Sequence, residues 1–257
     1  MSKCFAIING ATGGMGSVIA EQLARCFNLI LLGRDLERLE ALSVQINKIS
    51  PETTVHYYVV DALKSETMKV VAQSIQEKQH LIAALVNCVG IVPVGGVLEI
   101  EEQQWLQTFH ISLMSAVSLV KNFSPMMQKK GGSIVIINGA FAIQPDANFV
   151  VSAAVTGALR NFAKAISKDL IRYRIRVNSV LPGGTQTPLW NEITADLSKK
   201  LNIPAEEISH GVASQNPLHR LATPKDIAHA VNFLCSEDAS YINGAFLTID
   251  GGASFAM

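Results

Sequence analysis

The sequence has no surplus of either charge. Lys and Arg together number 21, as do Asp and Glu, so the formal net charge is zero and no basic field is present to draw in a phosphate backbone or an anionic lipid surface. Neither nucleic acid nor membrane is an expected partner. Charged residues are scarce, 16% of the chain against about 25% in an average domain. With 49% hydrophobic residues in 257, the chain has ample material for a core and apolar surface left to hide in a homo-oligomer. Cysteine is scarce too. Cys4, Cys26, Cys88 and Cys235 show no Cys-x-x-Cys spacing, which argues against a zinc knuckle or redox pair, and each reads as a small buried apolar residue. The six histidines, His56, His80, His110, His210, His219 and His229, show no His-Glu-x-x-His or other paired metal spacing, so no metal is expected. No apolar run approaches the roughly 18 residues that span a bilayer, and no secretory leader pattern precedes the first apolar segment. The expected compartment is the cytoplasm.

What is present is alternation. Short apolar runs at Phe5–Ile8, Leu29–Leu32, Val55–Val60, Ile82–Val86, Ser133–Ile137, Ile175–Val180 and Ala245–Ile249 read as about seven strands. Between them, segments of helical period lie at about 14–26, 35–49, 64–78, 101–128, 150–172 and 224–236. Strand-helix alternation predicts an α/β fold, a Rossmann-type doubly wound parallel sheet with helices on both faces. No repeat or linker divides the chain, so residues 1–257 are expected to form a single domain. One stretch, about 188–217, breaks the rhythm as a polar, helix-prone insertion. Beyond a strand's carboxyl end, such an insertion is placed to serve as a substrate lid.

After the first strand comes Asn9-Gly10-Ala11-Thr12-Gly13-Gly14-Met15-Gly16, with a helix expected from near Ser17. Glycines at 10, 14 and 16 permit a tight turn, close backbone approach to a pyrophosphate and close helix-sheet packing, while the helix start offers free N–H groups. The second strand ends Leu32-Gly33-Arg34. An acidic residue here would bond a ribose 2′-hydroxyl, whereas an arginine accommodates a 2′-phosphate, so Arg34 after Gly33 favours NADP over NAD. The other reading of Arg34 is a solvated charge pairing with Asp35 or Glu37.

The spacing Asn-Gly-x-x-x-Gly-x-Gly resembles the short-chain dehydrogenase/reductase (SDR) family, including its 3-oxoacyl-ACP-reductase-like members, with Asn9 where the family usually has Thr. The resemblance extends along the chain. Asp61, followed by Ala62, is similar to the family's adenine-binding Asp. Asn87-Cys88-Val89-Gly90 resembles its Asn-Asn-Ala-Gly segment. Arg176-Val177-Asn178 leading to Pro182-Gly183-Gly184-Thr185-Gln186-Thr187 is similar to the stretch that holds the nicotinamide half, and Asp250-Gly251-Gly252 resembles the closing turn. The resemblance therefore implies cofactor contacts at Gly10, Thr12, Gly13, Gly14, Met15, Gly16, Arg34, Asp61, Ala62, Asn87, Val89, Gly90, Pro182, Gly183, Thr185 and Thr187. It also implies a small-molecule substrate and a homo-oligomer, a tetramer, since related folds pair the two long helices. Apolar residues beyond one core-facing stripe on those helices, Leu113, Met114, Val117, Val120, Phe149, Val151 and Val155, are the expected contacts.

The family's catalytic tetrad of Asn, Ser, Tyr and Lys is missing. Ser152 stands at the Tyr position, Thr156 four residues on at the Lys position, Gly139 thirteen upstream at the Ser position, and Ser112 at the Asn position. No Tyr-x-x-x-Lys exists anywhere in the chain. An alkyl hydroxyl is a poorer acid than a phenol, threonine carries no cation, and glycine offers no side chain. Candidate substitutes are His110, Asp146, Asn148, Gln144 and Asn138, each with an ordinary packing or turn role as its alternative, and Trp190 either shapes a pocket or anchors the lid. Three readings stay open: an NADP(H)-binding oxidoreductase acting on a ketone or alcohol through an altered site, a non-catalytic dinucleotide or metabolite binder serving as a sensor or silent subunit, and a non-redox isomerase or cyclase.

Overall fold

Period-two alternation in strands buried on both faces leads directly to the architecture. The computed structural model describes residues 3–255. Seven parallel strands, β1 (Phe5–Asn9), β2 (Asn28–Gly33), β3 (Val55–Val59), β4 (Ile82–Asn87), β5 (Gly132–Ile137), β6 (Ile175–Pro182) and β7 (Phe246–Ile249), form one sheet in the order β3-β2-β1-β4-β5-β6-β7. Along β1, Phe5 and Ile7 enter one hydrophobic layer while Ala6 and Ile8 enter the other. Leu29 to Leu32 of β2 are all fully buried, which is why that strand reads as an unbroken apolar run rather than an alternating one.

Helices α1 (Gly14–Leu23), α2 (Leu36–Ile49) and α9 (Pro224–Cys235) cover one face, contributing Ile19, Leu23, Leu39, Ile46, Ile227 and Val231. The other face is covered by α3 (Ser65–Glu77), by α4 (Glu102–Thr108) continuing into α5 (Ser115–Met127), and by α6 (Val150–Leu170). The doubly wound parallel sheet expected from the sequence is present. The chain order reverses between β1 and β4, and at this switch point the carboxyl ends of neighbouring strands part to leave a crevice.

The first helix begins at Gly14, at the start of the expected 14–26 segment, and the glycines themselves form its opening turn. Three expectations need correction. The segment 101–128 is not a uniform α-helix: its middle, Phe109–Met114, is π-helical. Cys26 is exposed, at the surface just beyond α1, and is no core residue. Of the apolar residues expected to face a second subunit, Val120, Val151 and Val155 are buried within this chain by its own sheet packing and Phe149 is buried with its ring stacked on Phe141, while Met114 stays exposed.

The insertion forms two helices, α7 (Pro188–Leu201) and α8 (Ala205–Gln215). Trp190 joins them by donating its indole N–H to Ser209 Oγ at 3.1 Å, and Lys200 ties α7 to the loop after β4 through Glu99 at 2.5 Å. The Lys200 ammonium, with the Gly96 N–H, holds the Glu99 carboxyl below its usual range. Among the described residues no helix is long and apolar enough to cross a membrane, and no group of three His, Cys, Asp or Glu side chains is placed to hold a metal ion.

Candidate dinucleotide site

The loop after β1 is shaped by its glycines. Gly10 sits at φ +77°, a conformation that side chains strain against, and both its N–H and that of Ala11 donate to the Leu32 carbonyl at 2.9 and 3.0 Å. A Cβ on Gly16 would collide with the Gly10 carbonyl oxygen, so only glycine lets the first turn of α1 close onto the loop. The result is a helix N-terminus under a backbone cradle, the arrangement that receives a phosphate. Beneath it, Asn9 Nδ2 donates to Asn87 Oδ1 at 2.9 Å, and both side chains are buried. This amide pair locks the ends of β1 and β4 together across the switch point, and gives Asn9 a structural reason to replace threonine.

A cleft of about 180 Å³ opens beside the loop. Gly10, Thr12 and Gly13 form one wall, Gly33, Arg34 and Arg38 a second, Asp61 and Ala62 a third, and Val89 and Gly90 the floor. Arg34 forms no salt bridge with Asp35 or Glu37 among the described residues. Asp35 instead caps α2 by accepting the Arg38 N–H at 3.1 Å. Arg38 was not singled out from the sequence. It follows Arg34 by four residues, the spacing that could have revealed it, and its guanidinium is anchored by the Thr12 carbonyl at 2.6 Å. Asp61 Oδ1 accepts the Leu63 N–H, which fixes the carboxylate at the cleft edge. Cys88 also lines the cleft, but burial together with the nearby Cys235 pushes its thiol far above the ordinary range, so it is no nucleophile. Burial likewise raises the Cys235 thiol to about 12.

The residues matched to the tetrad lie on elements that pack together. Ser112, on the buried side of the π-helical stretch, accepts the Ile91 N–H on its hydroxyl at 3.3 Å and thereby steadies the backbone after Gly90. Gly139 precedes a short 3-10 turn, Ala140–Ala142, and a Cβ there would lie 3.5 Å from Thr156 Cγ2, so these two positions adjoin. The Thr156 hydroxyl donates back to the Ser152 carbonyl at 2.7 Å. Among the described residues Ser152 Oγ is buried and without a hydrogen-bond partner, as is Asn138 Oδ1, whose amide group donates to the Thr156 carbonyl. Asp146 is exposed and closes a turn by accepting the Asn148 N–H, and Gln144 accepts the Phe255 N–H. His110 faces solvent beside Leu106 and Gln107, away from the buried Ser112. Ser112, Gly139, Ser152 and Thr156 thus carry neither a phenol nor a cation.

Pro182, Gly183, Thr185 and Thr187 run from the end of β6 to the start of α7. Gly183 sits against Asp250, where a Cβ would come within 2.9 Å of the Asp250 Cβ. Thr185 pairs with Ala222, and Thr187 caps α7 by accepting the Trp190 N–H at 3.2 Å. None of these four lines the cleft.

Residues 10–254 match the family model described as Enoyl-(Acyl carrier protein) reductase. The chain belongs to the short-chain dehydrogenase/reductase family. This SDR chain is similar to the NADPH-dependent reductase BacG of Bacillus subtilis (strain 168), at 30% identity over 257 residues with 98% of each protein covered. It is also similar to the 3-oxoacyl-[acyl-carrier-protein] reductase FabG of Aquifex aeolicus (strain VF5), at 29% identity, covering 96% of this chain and 95% of that protein. Among solved structures, L-sorbose reductase from Gluconobacter frateurii, complexed with NADPH and L-sorbose, superposes with TM-score 0.91 at 28% identity over 100% of this chain and 98% of the other.

Proposed function

We propose that this SDR chain is an NADP(H)-binding protein of an oxidoreductase family that keeps dinucleotide recognition and has lost the family's proton-transfer groups. Arg34 and Arg38 beside Gly33 carry the cofactor reading. Two guanidiniums flank a position where a carboxylate would repel a 2′-phosphate, and the relatives named for NADPH support the same choice. The glycine loop would hold the pyrophosphate on the N–H groups of α1, and Asp61 the adenine. Bound NADP(H) supplies or accepts a hydride at its nicotinamide, and the usual SDR partner in that step is a phenol activated by an ammonium.

This chain offers Ser152, with its hydroxyl buried, and Thr156, with its hydroxyl engaged by a backbone carbonyl. The geometry therefore favours the non-catalytic reading, a sensor or the silent partner of an active subunit. The relatives' names favour the other, a reductase of a ketone or alcohol through an altered site whose proton comes from substrate or water. In either case α7 and α8 form the lid over the ligand, and a small molecule is the partner.

Thermal unfolding tests the cofactor reading. NADPH at 100 times its dissociation constant should add about 2.7 kcal/mol of stability, and NADH should add far less. A larger shift with NADH would sink it.

A further inference from the structure

We infer that this protein recognises its dinucleotide through the 2′-phosphorylated adenosine and the 5′-phosphate joined to it, so that its ligand class is the 2′-phosphorylated adenosine nucleotide and the nicotinamide end contributes little to binding. The inference rests on the NADP(H) reading above and concerns which part of the ligand is held.

The two ends of the site differ in what their side chains are free to do. At the adenosine end the cleft is open. Arg34 has no side-chain hydrogen bond or salt-bridge partner among the described residues, and Arg38 is anchored through one nitrogen to the Thr12 carbonyl, leaving donors over. A guanidinium presents five N–H donors in a planar fork that matches a phosphate, and two of them on one wall make a phosphate subsite.

At the nicotinamide end the matched polar groups are absent or already engaged. The Thr185 hydroxyl donates to the Gly183 carbonyl at 2.9 Å. That of Thr187 donates to the Thr185 carbonyl at 3.3 Å while accepting the Trp190 N–H. The Thr156 hydroxyl donates to the Ser152 carbonyl, and Gly139 has no side chain. No ammonium stands where the family's lysine would hold the ribose hydroxyls. The root of the lid also presses on the glycine loop. A Cβ on Gly14 would meet Pro188 Cδ at 2.8 Å and Thr187 Cβ at 2.9 Å, so the start of α7 lies directly against the start of α1.

Calorimetric titration of the full-length protein with adenosine 2′,5′-bisphosphate, NADPH, NADP+ and NADH tests this. The bisphosphate should bind within about threefold of NADPH, with NADPH and NADP+ alike, because the group that distinguishes those two is not held. The paired change Arg34→Ala and Arg38→Ala should weaken both ligands in parallel. Thr156→Lys should tighten NADPH by about tenfold and leave the bisphosphate unchanged, since it restores a cation only at the far end. NADPH binding about thirtyfold or more tighter than the bisphosphate overturns the inference and leaves the NADP(H) reading standing. No binding by any of the four overturns that reading and the inference with it.

Discussion

At the scale of single residues, the proposed loss of the family's proton-transfer groups turns on Ser112, Gly139, Ser152 and Thr156. Their environments show which could be reversed. Gly139 has room for a side chain, since a Cβ at that position would meet Thr156 Cγ2 at ordinary contact distance, so Gly139→Ser should be accepted. Ser112 already bonds the backbone after Gly90, a task an asparagine amide could share. The combined variant Ser112→Asn, Gly139→Ser, Ser152→Tyr and Thr156→Lys should turn over NADPH with a generic ketone while the wild type shows none. General acid-base assistance is worth about 10²–10⁴-fold, and such groups act as a unit. Brisk wild-type turnover, measured by loss of NADPH absorbance, would instead establish the altered-site reductase. A second residue-scale prediction concerns Phe5, His56 and His80, whose rings cluster, Phe5–His80 tilted with centroids 4.2 Å apart and His56–His80 stacked at 5.1 Å. Burial, then the neighbouring charges of His80 and Lys78, lowers the His56 pKa; burial, then Lys78, lowers that of His80. The unfolded chain therefore takes up protons first, and stability falls as pH drops below the ordinary histidine value of 6.5. His80→Phe, which removes a buried unpartnered nitrogen, should lose less melting temperature between neutral and mildly acid pH than the wild type. An equal loss in both would assign the acid sensitivity elsewhere.

At the scale of elements, the caps decide where helices stop and which loops stay put. Helix α9 opens with a capping box: Thr223 Oγ1 accepts the Asp226 N–H while the Asp226 carboxylate accepts the Thr223 N–H at 2.7 Å. Arg220 adds a bidentate pair on the same carboxylate, at 2.7 and 3.1 Å, and holds the Asp226 carboxyl well below its usual range. Thr223→Ala should cost about 1 kcal/mol in urea unfolding at neutral pH, the usual worth of an N-cap. No change in the denaturation midpoint would show that Arg220 and Asp226 secure the helix by themselves. The π-helical stretch at Phe109–Met114 was not legible in the sequence, because an apolar pattern with helical spacing does not register one extra residue in a turn. Its position beside Ser112 sets how that hydroxyl meets the Ile91 N–H.

At the scale of the whole molecule, Leu106 and Met114 remain exposed on the long helix, at 65% and 44%, after the chain's own core has taken its share. Light scattering at micromolar concentration should report a homo-oligomer, a tetramer, and a monomer would show that these side chains tolerate water. The sequence alone determined the seven strands, the doubly wound class and the glycine cradle, because each rests on local chemistry: short apolar runs, helix starts, and backbone angles that only glycine adopts freely. Residue identity likewise leaves Ser112, Gly139, Ser152 and Thr156 with neither a phenol nor a cation. What only the tertiary structure decided was which groups are free to act. Arg38 joins Arg34 because the Thr12 carbonyl holds its guanidinium at the cleft, and Val120, Val151 and Val155 face inward because the sheet lies beneath them. The hydroxyls of Thr156, Thr185 and Thr187 look available in the sequence but are engaged in the fold, since a donor's partner depends on which backbone oxygen the packing brings within hydrogen-bond reach.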